Sequence, residues 1–335
     1  DPVFSEANAA NLLLWEFSNA DDADMGYSYN LPQINPFTGQ ATQIVKMENN
    51  QWAVIVGNGY NSSGGKAVLY VLFMAGGEDG TWTVGTDYIK LVADSGTGNG
   101  LSTPTPFDKN GNGLVDVIYA GDIKGNLWKF DVSSSTPSSW NVAIGGLPLF
   151  VSGTTKPIIS PPAVSFHPKK GQLIMFGTGK YLETADTTNT STQSIYGLWD
   201  LNTPATITAG MLVQQVMTDA TVRTATQNQV TYSDTIKGWY INLPVSGERI
   251  TGVPMLEDGI LLFTTIVPSA SPCDFGGRGF ANALDFLTGS MLAFPAFDIN
   301  RNRVLSLDDG LSAGVEIGFS VGGGTRIRGS ADDLL

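Results

Sequence analysis

The clearest chemical pattern in this 335-residue sequence is the nine-residue run DKNGNGLVD, from Asp108 to Asp116. Side-chain oxygens fall on alternate positions at Asp108, Asn110 and Asn112, Gly113 sits where a sharp turn is needed, the Leu114 carbonyl follows, and Asp116 closes the set. That is the oxygen spacing by which a short loop wraps calcium. Residue 119, twelfth counting from Asp108, is Tyr rather than the bidentate Glu of an EF-hand, and apolar runs of strand length flank the loop. The expectation is a calcium (Ca2+) loop in a β context, held by Asp108, Asn110, Asn112, the Leu114 carbonyl and Asp116. The competing reading is an Asn-Gly turn between two strands.

A weaker calcium candidate is DINRNRVLSLDD, with oxygens at Asp298, Asn300, Asn302, the Val304 carbonyl, Ser306 and Asp309. Arg303 replaces the turn glycine and Arg301 adds a second positive charge, and both oppose a cation. The acidic group Asp21, Asp22 and Asp24 reads as a solvated turn.

Catalytic patterns are poor. GFSVG around Ser320 fits a nucleophile elbow, but GGTRIRG follows it where a helix is required, and the sole histidine, His167, reads as an exposed strand-end residue. The pairs Gly57/Gly59 and Gly177/Gly179 lack the third glycine and the helix of a dinucleotide site, and read as turns. One Cys, Cys273, and one His cannot build a zinc or iron centre within this chain. Cys273 is either free or bridged to a segment outside the sequence. Catalytic residues and organic cofactors are therefore expected to be absent.

The elements that must position the loop follow from composition. With 40 Gly and 17 Pro, about one residue in six, the chain suits tight turns better than long helices. Hydrophobic residues make up 42 %, enough for a core, which excludes disorder as the main state. The net charge of -13 argues against nucleic acid as a partner, because phosphate affinity needs clustered Lys and Arg. No apolar run reaches the length of a membrane-spanning helix. The first residue is Asp rather than Met, which reads as a processed protein or an excised piece.

Four divergent units repeat along the chain. A proline-bearing segment comes first (LPQI from Leu31, STPTPF from Ser102, SPPAVSF from Ser160, TGVPML from Thr251). An apolar strand follows (WAVIVGNGY from Trp52, LVDVIYAGD from Leu114, QLIMFGTGKY from Gln172, GILLFTTIV from Gly259). A strand rich in aromatics comes next (AVLYVLF, GNLWKFDVS, SIYGLWDLN, ANALDFLTG). Repeated antiparallel β units are the signature of β-propeller blades. Val54, Ile118, Ile174 and Leu262 are the equivalent positions. Their uneven spacing assigns residues 183–193 and 204–236 to loops, and Phe294 to Arg328 to a fifth, partial unit. The whole of 1–335 is expected to be one all-β domain, a modified β-propeller, with a β-sandwich as the competing architecture.

At these residues the sequence resembles the C-terminal β-propeller of the PilC/PilY type IV pilus biogenesis factors and tip adhesins. The resemblance rests on LLWEFSNADDADMGYSY from Leu13, the VGNGYNS stretch from Val56, and above all STPTPFDKNGNGLVDVIYAGDIKGNLWKFD from Ser102. It implies a seven-bladed propeller from a larger secreted protein of a Gram-negative bacterium, carried at the pilus tip or outer-membrane surface after crossing the periplasm. It further implies minor pilins or a tip complex as partners, a host-cell or surface ligand, a part in twitching motility and virulence, and calcium occupancy that tunes pilus extension. No obligate homo-oligomer is implied. The Arg328-Gly329 pair is followed by Ser330, so no Arg-Gly-Asp is present. Two other classes compete: a quinone-cofactor dehydrogenase, whose propellers also use calcium, and a periplasmic outer-membrane assembly scaffold.

Overall fold

The computed structural model describes residues 8, 13–34, 41–42, 44–269 and 277–318. Among them there is no α-helix, only strands and short 3-10 turns. A ribbon pairs β1 (Gln33–Ile34) with β2 (Ala41–Thr42). The first sheet takes β3 (Ile44–Lys46), β4 (Trp52–Gly57), β5 (Ala67–Phe73) and β6 (Tyr88–Asp94) in consecutive antiparallel order. The second takes β7 (Thr105–Phe107), β8 (Val117–Gly121), β9 (Asn126–Asp131) and β10 (Asn141–Val142), with β11 (Phe150–Val151) also pairing β9.

The third sheet runs β12 (Ala163–Phe166), β13 (Gln172–Gly177) and β14 (Ser194–Asp200). The next strands in sequence are β15 (Leu212–Val216), β16 (Val222–Arg223) and β17 (Gly238–Asn242), and the sheet order is β12-β13-β14-β17-β15. The fourth sheet holds β18 (Met255–Glu257), β19 (Ile260–Val267), β20 (Arg278–Asp285) and β21 (Gly314–Gly318), with β16 on its β21 edge.

Val54, Ile118, Ile174 and Leu262 each lie on the second strand of their sheet, so the repeat read from the sequence is the sheet repeat. The proline-bearing segments supply the edge strands β7, β12 and β18, where a missing backbone N–H costs no ladder bond. In the first unit, however, LPQI forms the separate ribbon, and β3 opens the sheet. The stretch 204–236 is more than a loop: β15 adds in parallel to β17, and β16 crosses to the fourth sheet. Residues 314–318 complete the fourth sheet against β20 instead of starting a fifth unit. Cys273, Ser320 and Arg328 lie outside the described residues.

The chain falls into two compact units, one of residues 1–120 and 128–147, the other of 121–127 and 148–335. In the first, every residue of β5 is buried. Its side chains alternate between two cores, because successive residues of a strand face opposite ways. Leu69 and Val71 join Ile118 and Phe130, while Val68, Tyr70 and Leu72 meet Trp15, Phe17 and Trp82. Asp22 and Asp24 are buried there rather than solvated. Lys90 Nζ bridges them at 2.7 and 2.8 Å, Lys66 reaches Asp24 at 2.9 Å, and the Tyr88 hydroxyl donates to Asp22. The core of the second unit gathers Leu173, Met175, Trp199, Trp239, Ile241 and Phe263.

Three second strands end in a glycine that has no room for a side chain. A Cβ on Gly57 would lie 2.1 Å from the Ser102 carbonyl oxygen, one on Gly121 2.2 Å from Ile158, and one on Gly177 2.4 Å from Ile250. These glycines let the segment leading toward the next sheet pass against the strand end.

Candidate metal centre

The run from Asp108 to Asp116 connects β7 to β8. Its short polar side chains fold the backbone around themselves. Asp108 Oδ1 accepts from the N–H groups of Asn110 (3.2 Å) and Gly111 (2.7 Å), and Oδ2 from Gly113 (2.7 Å). Asn110 Oδ1 accepts from Asn112 N–H at 3.0 Å, and Asn112 Oδ1 from Leu114 N–H at 2.8 Å. These are successive Asx turns, and they coil the chain so that alternate side chains gather on one side. Gly111 and Gly113 take φ of 80° and 83°, the left-handed region that glycine enters without steric cost.

Asp116 anchors the loop from the strand side. It is only 2 % exposed, and its carboxylate accepts from Lys109 N–H (2.8 Å) and from Asn110 Nδ2 (3.0 Å). Burial pushes its carboxyl above the usual range, and neighbouring Glu48 adds to that, against the opposing pull of the Lys109 N–H. Glu48 lies in the turn between β3 and β4, and its Oε1 accepts from Asn112 Nδ2 at 3.1 Å. The sequence gives no hint of this neighbour, which lies 64 positions upstream of Asn112.

The donor set is all oxygen, of mixed charge, on a turn already coiled. Such sets suit hard cations, calcium above all. The two Asn amides now donate protons to Asp116 and Glu48; turning either amide over presents an acceptor instead. Among the described residues no three Asp, Glu, His or Cys side chains converge into a metal cluster. A cation in the Asp108–Asp116 loop would depend on amide and carbonyl oxygens as much as on the two carboxylates.

The loop from Asp298 to Asp309 repeats this geometry. Asp298 accepts from Asn302 N–H (3.1 Å) and Arg303 N–H (2.7 Å), Asn300 Oδ1 from Asn302 N–H (3.0 Å), and Asn302 Oδ1 from Val304 N–H (2.7 Å). Asp309 closes it by accepting from Asn300 and Ser306 N–H, bonds that hold its carboxyl below the usual range. Arg301 and Arg303 take φ of 59° and 67°, the conformation of Gly111 and Gly113, although each carries a Cβ.

Elsewhere, His167 is buried rather than exposed. Its ring lies 4.7 Å from Trp199 and 4.4 Å from Tyr232, and Nδ1 accepts from Lys169 N–H. Those neighbours are an aromatic packing site and not the partners of a nucleophile. Gly57 and Gly177 are the last residues of β4 and β13, and Gly179 makes a parallel bridge with Ile158, so the glycine pairs mark strand ends and not the turns expected of them.

Four sheets, each built on consecutive antiparallel strands in one repeated pattern, define an all-β protein of the β-propeller class. Residues 3–233 match the family model of the PilY1 beta-propeller domain, and the chain belongs to that family. It is 33 % identical over 88 % of its length to the type IV pilus biogenesis factor PilY1 of Pseudomonas aeruginosa strain PAO1, of which it spans 28 %. A type IV pilus biogenesis factor PilY1 homolog of Xylella fastidiosa is 34 % identical over 86 % of the chain, which covers 20 % of that protein. The crystal structure of the Pseudomonas aeruginosa PilY1 C-terminal domain is similar with a TM-score of 0.75 and 30 % identity, over 91 % of this chain and 69 % of that one. The chain thus spans less than a third of the curated relatives' length.

Proposed function

We propose that this chain is the calcium-binding propeller of a type IV pilus biogenesis factor and tip adhesin. It acts without catalysis, as a rigid platform for minor pilins or a tip complex and for a surface or host-cell ligand. It is carried at the pilus tip or outer-membrane surface after crossing the periplasm, and supports pilus extension and twitching. Membership of the PilY1 family supports the pilus assignment, since the relatives carry that role in their names. The calcium part rests on one observation: a pre-coiled oxygen loop closed by the nearly inaccessible Asp116. Asp108, Asn110, Asn112, the Leu114 carbonyl and Asp116 would hold the ion. When bound, calcium supplies a charge centre that ties the loop to β8. The loop between Asp298 and Asp309 is proposed as a second, weaker site, since its arginines set positive charge beside the same turn.

The test is deletion of the gene in the source bacterium, with complementation by wild type and by Asp116→Ala. Loss of surface pili and twitching on deletion, restored by wild type and not by Asp116→Ala, is the expected result. Normal twitching in the deletion strain would remove the pilus assignment, and full rescue by Asp116→Ala would remove the role of calcium.

A further inference from the structure

Of the seven tryptophans in the chain only Trp52 is exposed, with 54 % of its surface open to solvent. Trp15, Trp82, Trp140, Trp199 and Trp239 each donate the indole N–H to a backbone carbonyl. The indole N–H of Trp52 meets no acceptor among the described residues. Trp52 opens β4 beside a groove of 360 Å³, which lies between the β3–β4 turn and the connection from β5 to β6. Backbone bonds fix both walls. On one side Met47 N–H donates to Gln51 O at 2.9 Å and Asn50 N–H to Met47 O at 2.8 Å; on the other Phe73 N–H donates to Asp87 O at 3.0 Å and Asp87 N–H to Thr83 O at 2.8 Å. Met74 N–H joins the two walls by donating to Trp52 O at 2.9 Å. The polar side chains along the groove are uncommitted. Asn50, Gln51 and Thr86 make no side-chain hydrogen bond among the described residues, and Asp87 uses one carboxylate oxygen, on Thr83 N–H at 2.7 Å.

We propose that this groove binds a neutral carbohydrate. A sugar ring presents a C–H face of partial positive charge, which stacks on the electron-rich face of an indole. Its hydroxyls both donate and accept. The free carboxamides of Asn50 and Gln51 answer both roles, the open oxygen of Asp87 accepts, and the Trp52 N–H donates. A volume of 360 Å³ is at the small end of ordinary ligand clefts, and walls already held by backbone bonds lower the cost of ordering on binding. The groove is lined by a carboxylate and by no Lys or Arg, on a chain of net charge -13, so sialylated and sulfated sugars are repelled. This gives a chemical class to the surface ligand of the proposed function, and it rests on that reading for where the sugar is met, not for the groove itself.

The experiment titrates the full chain with neutral oligosaccharides of glucose, galactose, mannose and N-acetylglucosamine, and with sialylated and sulfated counterparts, read by tryptophan fluorescence and calorimetry. Wild type is compared with Trp52→Ala, Trp52→Phe and Gln51→Ala, each melted first to verify folding. The expected result is saturable binding of at least one neutral sugar, weakened about tenfold or more in Trp52→Ala. Trp52→Phe keeps a stacking ring and should lose less, and Gln51→Ala should also weaken binding. No saturable binding of any neutral oligosaccharide would overturn the proposal. So would affinity within twofold of wild type in Trp52→Ala, or tighter binding of the acidic sugars than of the neutral ones. Because the titration uses the purified chain, such a failure leaves the pilus assignment standing, and normal twitching in the deletion strain would leave a sugar-binding groove in place.

Discussion

Arg223 and Glu248 face each other with no solvent access to either side chain, Nη1 to Oε1 at 2.6 Å and Nη2 to Oε2 at 2.9 Å. The guanidinium also lies 3.3 Å from the centre of the Phe280 ring, and Glu248 accepts from the Thr265 hydroxyl. Arg223 is on β16, the strand that leaves the third sheet's long connection to border the fourth, so the pair fastens that connection to the strands it joins. Removing one partner strands a buried charge. Glu248→Ala should lower unfolding stability by about 3–5 kcal/mol, read from urea denaturation. Arg223→Met with Glu248→Leu should recover most of that loss, because the desolvation cost of both ions disappears with them.

The strand-end glycines predict a different kind of failure. Gly57 meets backbone, which cannot swing aside as a flexible side chain can. Gly57→Ala should cost about 1–3 kcal/mol by overpacking, whereas Gly210→Ala, with open space around the glycine and no positive φ, should cost little. Equal midpoints for the two variants in chemical denaturation would contradict the close approach.

His167 sets a pH dependence. Burial, with the Lys169 ammonium adding to it, holds its imidazole below the ordinary value of 6.5. The unfolded chain then binds the proton more readily than the folded one, so stability rises with pH across this window. The contribution is fully present above pH 6.5 and is lost as pH falls below it toward the folded-state value. Denaturation midpoints measured from pH 7.5 down to 5 should fall for wild type and flatten for His167→Gln; parallel curves would contradict this.

Calcium should raise thermal stability by linkage. At a free concentration about 100 times the dissociation constant, one site adds about 2.7 kcal/mol. The melting temperature of the wild-type chain should climb with calcium and fall back with chelator, and Asp116→Ala should lose most of that shift, keeping only what the weaker loop between Asp298 and Asp309 contributes. Magnesium should reproduce little of the shift, because its small octahedral shell fits a flexible mixed loop poorly.

Short-range chemistry sets the features that local residue order encodes. Alternate Asp and Asn side chains with interleaved glycines coil the loop from Asp108 to Asp116 by bonds that span two to five residues, and the same rule operates from Asp298 despite its arginines. Apolar runs bounded by Gly turns placed Val54, Ile118, Ile174 and Leu262 on equivalent strands. Long-range packing sets whatever depends on distant partners. Asp22 and Asp24 look like a solvated turn until Lys66 and Lys90 reach them from more than forty residues away. Residues 204–236 look like a loop until β15 and β16 find free sheet edges. His167 is buried because Trp199 and Tyr232 close over it, and Glu48 meets Asn112 because two strand turns come together. A carboxylate, an imidazole or a short polar stretch has no intrinsic side to face, and its environment is set by the long-range packing around it.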